Sequence, residues 1–179
     1  PNYHISTAMG SGYEPGADWI EWGSGSSGWL YKYQMKGLRA QMYGLESDLR
    51  YELNTLIYVG GSISVTRGDN LSQNRPLEYI PPDKVQLSTG FDLNPLSISL
   101  NLKKVFPQTR LGEFETRTEG FMIFDLNGSY TIHSSNISHK FIFQLDNIFN
   151  EVYYNHLSRL KTIMPEKGRS LNIQYRIVF

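Results

Sequence analysis

The sequence predicts an all-β chain, about eight antiparallel strands of a transmembrane β-barrel, and three observations predict it. Apolar residues recur at every second position over long segments. The segments run to about 10 to 13 residues, whereas globular strands peak near five or six and a tilted membrane crossing needs about 9 to 11. The connections alternate between very short and long, as in bacterial barrels, which carry short turns on the periplasmic side and long loops outside. Alternation alone would also suit a β-sandwich with apolar inner faces. Strand length and loop rhythm favour the membrane.

Each segment can be justified in turn. Tyr43, Leu45, Leu49, Tyr51 and Leu53 share a face that opposes Gly44, Glu46, Asp48, Arg50 and Glu52. Ile57, Val59, Ile63 and Val65 then oppose Tyr58, Gly60, Ser62, Ser64 and Thr66. Val85, Leu87, Phe91 and Leu93 face away from Lys84, Gln86, Ser88, Gly90 and Asp92, and Leu96, Ile98, Leu100 and Leu102 from Ser97, Ser99, Asn101 and Lys103. The least clean segment sets Met122, Phe124, Leu126, Tyr130 and Ile132 against a face that includes Phe121 and Ile123. Phe141, Phe143 and Leu145 follow, and Leu171, Ile173, Tyr175, Ile177 and Phe179 close the chain. Through the middle of each segment the apolar parity holds no Asp, Glu, Lys or Arg. A lipid-facing Lys or Arg costs about 2 to 4 kcal/mol at the midplane, so a membrane would keep that face clean.

The connections expected from this pattern are Asn54-Thr55, 68–83, Asn94-Pro95, 107–118, 133–138 and 150–168. Upstream, 29–35 is expected to share one crossing with 39–53 across a bulge at Gly37. Residues 10–28 read as a Gly/Ser loop holding Trp19 and Trp22, and 3–8 as the end of one more strand.

Composition excludes several function classes. Seventeen basic residues balance seventeen acidic ones, so no net field favours nucleic acid, and no nucleic-acid partner is expected. The chain has no cysteine, which removes disulfides, thiolate metal sites and cysteine nucleophiles. No apolar run approaches the roughly 18 residues of a spanning helix. No nucleophile, base and orienting acid stand together, so no enzyme, catalytic residue, cofactor or metal site is predicted. His4, His133, His139 and His156 are scattered, and the methionines show no spacing that suggests a copper relay.

Several motifs, taken in order and spacing, resemble the late barrel of TonB-dependent outer-membrane receptors. They are Gly44-Leu45-Glu46, Arg67-Gly68 followed by Pro76-Leu77, and Ile80-Pro81-Pro82. Glu119-Gly120-Phe121 leads to Asp125-Leu126-Asn127, and Asp146-Asn147-Ile148-Phe149-Asn150 to Tyr153-Tyr154 and His156. Gly168-Arg169 precedes the last strand, and Lys167 and Ser170 depart from the usual pattern. The resemblance covers residues 39–179. It implies the C-terminal part of a barrel of about 22 strands, with a plug and further strands belonging to a longer parent. It also implies location in the bacterial outer membrane and uptake of a scarce solute such as a ferric siderophore or another metal chelate. The implied partners are the lipid bilayer, the TonB system acting through the plug, the barrel assembly machinery and a small-molecule ligand.

Within that frame Trp19, Trp22, Tyr153, Tyr154, His156 and Arg159, with Lys161 nearby, are the ligand-contact candidates in external loops. Tyr175, Ile177 and Phe179, on one face at the end of the chain, look like the signature that marks barrels for assembly. Tyr51, Tyr130, Tyr175 and Phe179 suit an interfacial girdle. Glu46, Asp48, Glu52 and Asp125 read as charges facing a watery interior rather than a catalytic pair. Arg67-Gly68-Asp69 is the cell-adhesion tripeptide, at a place where a turn explains it equally well. The alternative function is a self-contained eight-stranded barrel with a structural or adhesion role. A third reading is a soluble carbohydrate-binding sandwich using its tryptophans.

Overall fold

The computed structural model describes residues 37–135 and 137–179 in full, together with the backbone of residues 2–4, 19–21, 29–31 and 34–36. The strands are β1 (Asn2–His4), β2 (Trp19–Glu21), β3 (Trp29–Tyr31), β4 (Gln34–Lys36), β5 (Ala40–Glu52) and β6 (Ile57–Asn70), followed by β7 (Arg75–Pro76), β8 (Lys84–Leu93), β9 (Leu96–Val105), β10 (Phe121–Ser134), β11 (Ile137–Asp146) and β12 (Ser170–Val178). An eight-stranded antiparallel sheet runs in the order β12-β11-β10-β9-β8-β6-β5, with β7 added to the end of β6. The sheet is open, with β5 and β12 as its edges, and it resembles part of a barrel.

Register joins the predicted faces into one surface. Tyr51 lies opposite Val59, Val59 opposite Thr89, and Thr89 opposite Leu100. Leu100 lies opposite Leu126, Leu126 opposite Leu145, and Leu145 opposite Leu171. This row crosses the sheet from edge to edge on the apolar parity. The adjacent row, Arg50, Gly60, Ser88, Asn101 and Asp125, is polar throughout. Because a one-residue slip would exchange the two faces, the alternation itself fixes the pairing.

Burial is inverted relative to a water-soluble domain. The apolar parity is uncovered, with Leu49 70% and Ile173 71% exposed. The buried hydrophobic residues among those described are Ile80, Val105, Phe121 and Ile123. Phe121 and Ile123, which break the alternation of β10, are 8% and 7% exposed and sit with Val105 on the polar face, beneath Tyr153 of a long loop. A continuous uncovered apolar face of this extent needs a nonaqueous neighbour.

Glycine permits close ring packing on both faces. Gly90 pairs with Tyr58, and a Cβ at Gly90 would overlap the tyrosine ring, whose other side carries the Arg50 guanidinium 3.6 Å from its centroid. Gly128 gives the Phe143 ring the same room on the apolar face.

Tight turns gather at one end of the sheet. Asn54 Oδ1 accepts from the amides of Leu56 and Ile57 at 2.8 and 2.9 Å, fixing the β5–β6 turn. The β8–β9 and β10–β11 turns are shorter still, and Tyr51, Tyr130 and Tyr175 stand on the apolar face near this rim. Tyr175 accepts or donates at 2.7 Å to Nδ1 of His139 and packs 4.9 Å from the Phe141 ring. The long connections 71–83, 106–120 and 147–169 gather at the other end.

The structure corrects four local expectations. β6 continues to Asn70, so Arg67-Gly68-Asp69 is strand rather than loop, because β5 pairs along its whole length up to Ala40. The segment 29–35 does not continue one crossing into β5: it is divided between β3, which pairs with β2, and β4, which pairs with β1, and 37–39 is irregular. Trp19 therefore begins a short strand rather than lying in a loop. The eighth member of the large sheet is β7, whereas β1 belongs to a separate pair with β4; residues 5–8 lie outside the described residues.

Candidate functional site: the loop cap

The third long loop is held at both ends by asparagines of the Asp146–Asn150 motif. Asn147 adopts φ 51°, in the left-handed region that asparagine tolerates. Its amide donates to Asp125 Oδ1 at 2.8 Å, and its side chain both donates to Glu151 O and accepts from the Glu151 amide. Asn150, at φ 55°, accepts from the Arg169 amide at 2.9 Å, tying the loop's exit to its entry. A Cβ at Gly168 would come within 2.9 Å of that same Asn150 oxygen.

From this base the loop folds over the polar face. The Tyr153 ring packs 4.3 Å from Phe121, and the Glu166 amide donates to Tyr153 O at 2.9 Å. Burial first, then the carboxylates of Glu166, Asp125 and Asp146, raises the pKa of the Tyr153 phenol, so it remains a donor at neutral pH.

Glu115, in the second loop, ties all three loops together. Its Oε1 accepts from the Tyr79 amide of the first loop at 2.7 Å, and its Oε2 from the Gly112 amide at 2.9 Å. Nε2 of His156, in the third loop, lies 3.2 Å from Oε1. Nδ1 of His156 lies 2.9 Å from Thr118 Oγ1 and 3.1 Å from Lys161 Nζ. The partners assign the tautomer: Nε2–H donates to the carboxylate, and Nδ1 accepts from the hydroxyl and the ammonium. Burial and then Lys161 lower the His156 pKa against an opposing pull from Glu115. Burial likewise lowers that of Lys161, which also donates to Thr116 O at 2.7 Å. Gln108 Nε2 donates to Ile80 O at 2.9 Å, the Arg75–Glu113 pair links the first two loops at the surface, and Arg110 of the second loop pairs with Asp69 of β6.

A cavity of about 240 Å³ opens between this cap and the polar face. Tyr153, Tyr154 and His156, three of the predicted contact residues, line it together. Arg159 does not; it is exposed on the same loop. Trp22 and the side chain of Trp19 lie outside the described residues. Lys84, Lys103 and Phe121 also line the cavity. Sequence reasoning passed over Lys103, Phe121, Glu115 and Thr118 as site residues. The one signal pointing here was Phe121 and Ile123 on the wrong parity, apolar groups on a wet face that need a cover. Among the described residues no group of three or more His, Cys, Asp or Glu is arranged to hold a metal ion.

At the other rim, Tyr175 and Ile177 face the apolar side opposite Phe141 and His139, and Phe179 follows the end of β12. The charged ends of the Arg67-Gly68-Asp69 tripeptide are engaged, Arg67 by both Asp83 oxygens at 2.5 and 2.7 Å and Asp69 by Arg110.

No known protein-family profile matches the chain. Among solved structures it is similar to the copper transporter OprC, with a TM-score of 0.71 and 24% identity over 86% of this chain. The chain spans 26% of the length of that transporter. The likeness establishes a fold like that of the corresponding part of that transporter, an open run of antiparallel strands with its long loops at one end.

Proposed function

We propose that the chain forms part of the wall and external loop cap of a TonB-dependent outer-membrane transporter, without enzymatic activity, that takes up a scarce ligand such as a ferric siderophore or another metal chelate. The observation that carries this reading is the row on the apolar parity from Tyr51 to Leu171, interrupted by Thr89, opposite a polar face capped at one end by long loops. A bilayer covers the first face, and water, a plug and the passing ligand occupy the second. On this reading the protein resides in the bacterial outer membrane, TonB acts through a plug lying in other residues of the parent, and the assembly machinery reads Tyr175, Ile177 and Phe179. The cap residues Tyr153, Tyr154 and His156 meet the ligand, with Trp22, Arg159 and Trp19 of β2 as further contacts. The copper named for the similar transporter is one candidate cargo.

The test is fractionation and uptake with the full-length protein in a Gram-negative host. Recovery in the outer membrane, with accumulation of a labelled metal chelate that stops when the proton-motive force is collapsed, supports the proposal. Recovery in the soluble fraction would overturn the barrel reading. Outer-membrane recovery with energy-independent accumulation would leave a barrel that is not a TonB-dependent transporter.

A further inference from the structure

We propose that Lys84 and Lys103 form the anion seat of a binding site for one aromatic ring bearing a carboxylate or phosphonate-type group. The site lies in the cavity beneath the cap. The inference rests on the reading above only in taking the polar face as water-filled; the binding it asserts requires no transport.

Lys84 lies opposite Val105, and Lys103 opposite Gln86, across the β8–β9 pair. The two ammonium groups are therefore diagonal neighbours on one face, within about 7 to 8 Å at the backbone. Like charges so placed repel; Lys84 is exposed and Lys103 half-buried. Among the described residues neither lysine has an ion-pair partner, and the contact recorded for Lys103 is with the Phe121 ring, 5.9 Å away. Two carboxylates line the same cavity: Glu119 is engaged by Arg117, and Glu166 acts on the Tyr153 phenol.

The remaining wall suits a ring. Tyr153, tilted at 35° over the buried Phe121 ring, supplies aromatic surface, and Tyr154 lines the same space. The phenol of Tyr153, kept protonated by its surroundings, can donate to an anion that the lysines attract. At about 240 Å³ the cavity falls just under the usual range of small-molecule sites, roughly 300 Å³ and upward, so it has room for a single substituted ring. The chemistry that fits is a flat apolar body with a negative end. A cation or an aliphatic sugar would lose either the charge pairing or the stacking.

The experiment uses the full-length protein in detergent and reads acetylation of individual lysines by mass spectrometry, with benzoate and phenylphosphonate as probes. Saturating benzoate is expected to slow acetylation of Lys84 and Lys103 about tenfold, the worth of one charge-assisted contact, while Lys140 and Lys167 are unchanged. Benzylammonium and cyclohexanecarboxylate are expected to protect weakly or not at all. Calorimetric benzoate binding should vanish in the K84Q/K103Q double variant and persist in K84R/K103R, which retains the charges and controls for folding. Absence of protection overturns the proposal. Equal protection by inorganic phosphate removes the ring from it, and benzoate binding that survives K84Q/K103Q removes the lysines. Because no uptake is measured, a failure here leaves the transporter reading standing, and a failure of uptake leaves this site standing.

Discussion

His156 reaches Glu115 through Nε2 at 3.2 Å, so the third long loop is fastened to the carboxylate that also holds the amides of Tyr79 and Gly112. One side chain thus joins three loops. Protonation at Nδ1 would place a new N–H against Lys161 and Thr118, both of which already donate there. The sign of the pH dependence follows. The folded pKa of His156 lies below the ordinary value of about 6.5, so the open state binds the extra proton more readily, and cap stability falls as pH drops through that range. Lys161, also lowered, contributes in the same sense, since the open state takes up its proton more readily, though at higher pH. Hydrogen-exchange protection of 153–166, the observed rates divided into the intrinsic rates at the same pH, is expected to be higher at pH 7.5 than at pH 5.5 (a step about one unit either side of the ordinary histidine value). Protection that is equal or higher at the lower pH would contradict this.

Replacing Glu115 by alanine removes the acceptor for two amides and for His156. The cap should lose about 1 to 3 kcal/mol, the cost of stranding buried donors, with protease nicking appearing in both 106–120 and 147–169. The strands should retain their circular dichroism. Nicking confined to one loop would show that Glu115 does not couple them.

Gly90→Ala tests the Arg50–Tyr58–Gly90 stack. The added methyl meets a ring whose far side is already occupied by Arg50, so Tyr58 must swing out. A loss of about 1 to 3 kcal/mol in urea unfolding from vesicles is expected. Gly37→Ala, where nothing lies within 4 Å of the new Cβ, is the neutral control.

Leu100→Arg and Ser99→Arg differ by one position on β9 but point to opposite faces. In lipid the first should cost about 2 to 4 kcal/mol and the second little. Comparable losses at the two positions, measured by reversible folding into vesicles, would remove the membrane from the apolar side.

Asn147→Ala removes a side chain that binds Glu151 in both directions and leaves alanine at φ 51°. A loss of about 1 to 3 kcal/mol is expected from the missing hydrogen bonds and the left-handed backbone. Asn147→Gly, which relieves only the backbone, should recover part of it, as read from the same unfolding curves.

The long strands were legible because alternation is a local signal that every residue of a strand carries. The face assigned to Leu45, Val59, Leu87, Leu100, Leu126, Phe143 and Ile173 is the face they share in the sheet. The cap was less legible. His156, Tyr153 and Tyr154 stood out by residue type, yet nothing near them in sequence marks Glu115 or Thr118 as their partners, which lie 41 and 38 positions away. Loop folding is decided by such distant contacts, and composition does not report them. The end of β6 was misjudged for a related reason: Gly68 and Asp69 look like turn residues in isolation, but pairing with Met42 and Gln41 holds them extended.

The small apolar island of Val105, Phe121 and Ile123 also sets an order of assembly. Its strands are brought together by short hairpins and by the adjacent pairing of β9 with β10, whereas Tyr153 can dock only after that platform exists. The lid is therefore the last part to form and the first to come undone, and it can open without disturbing the wall on which it closes.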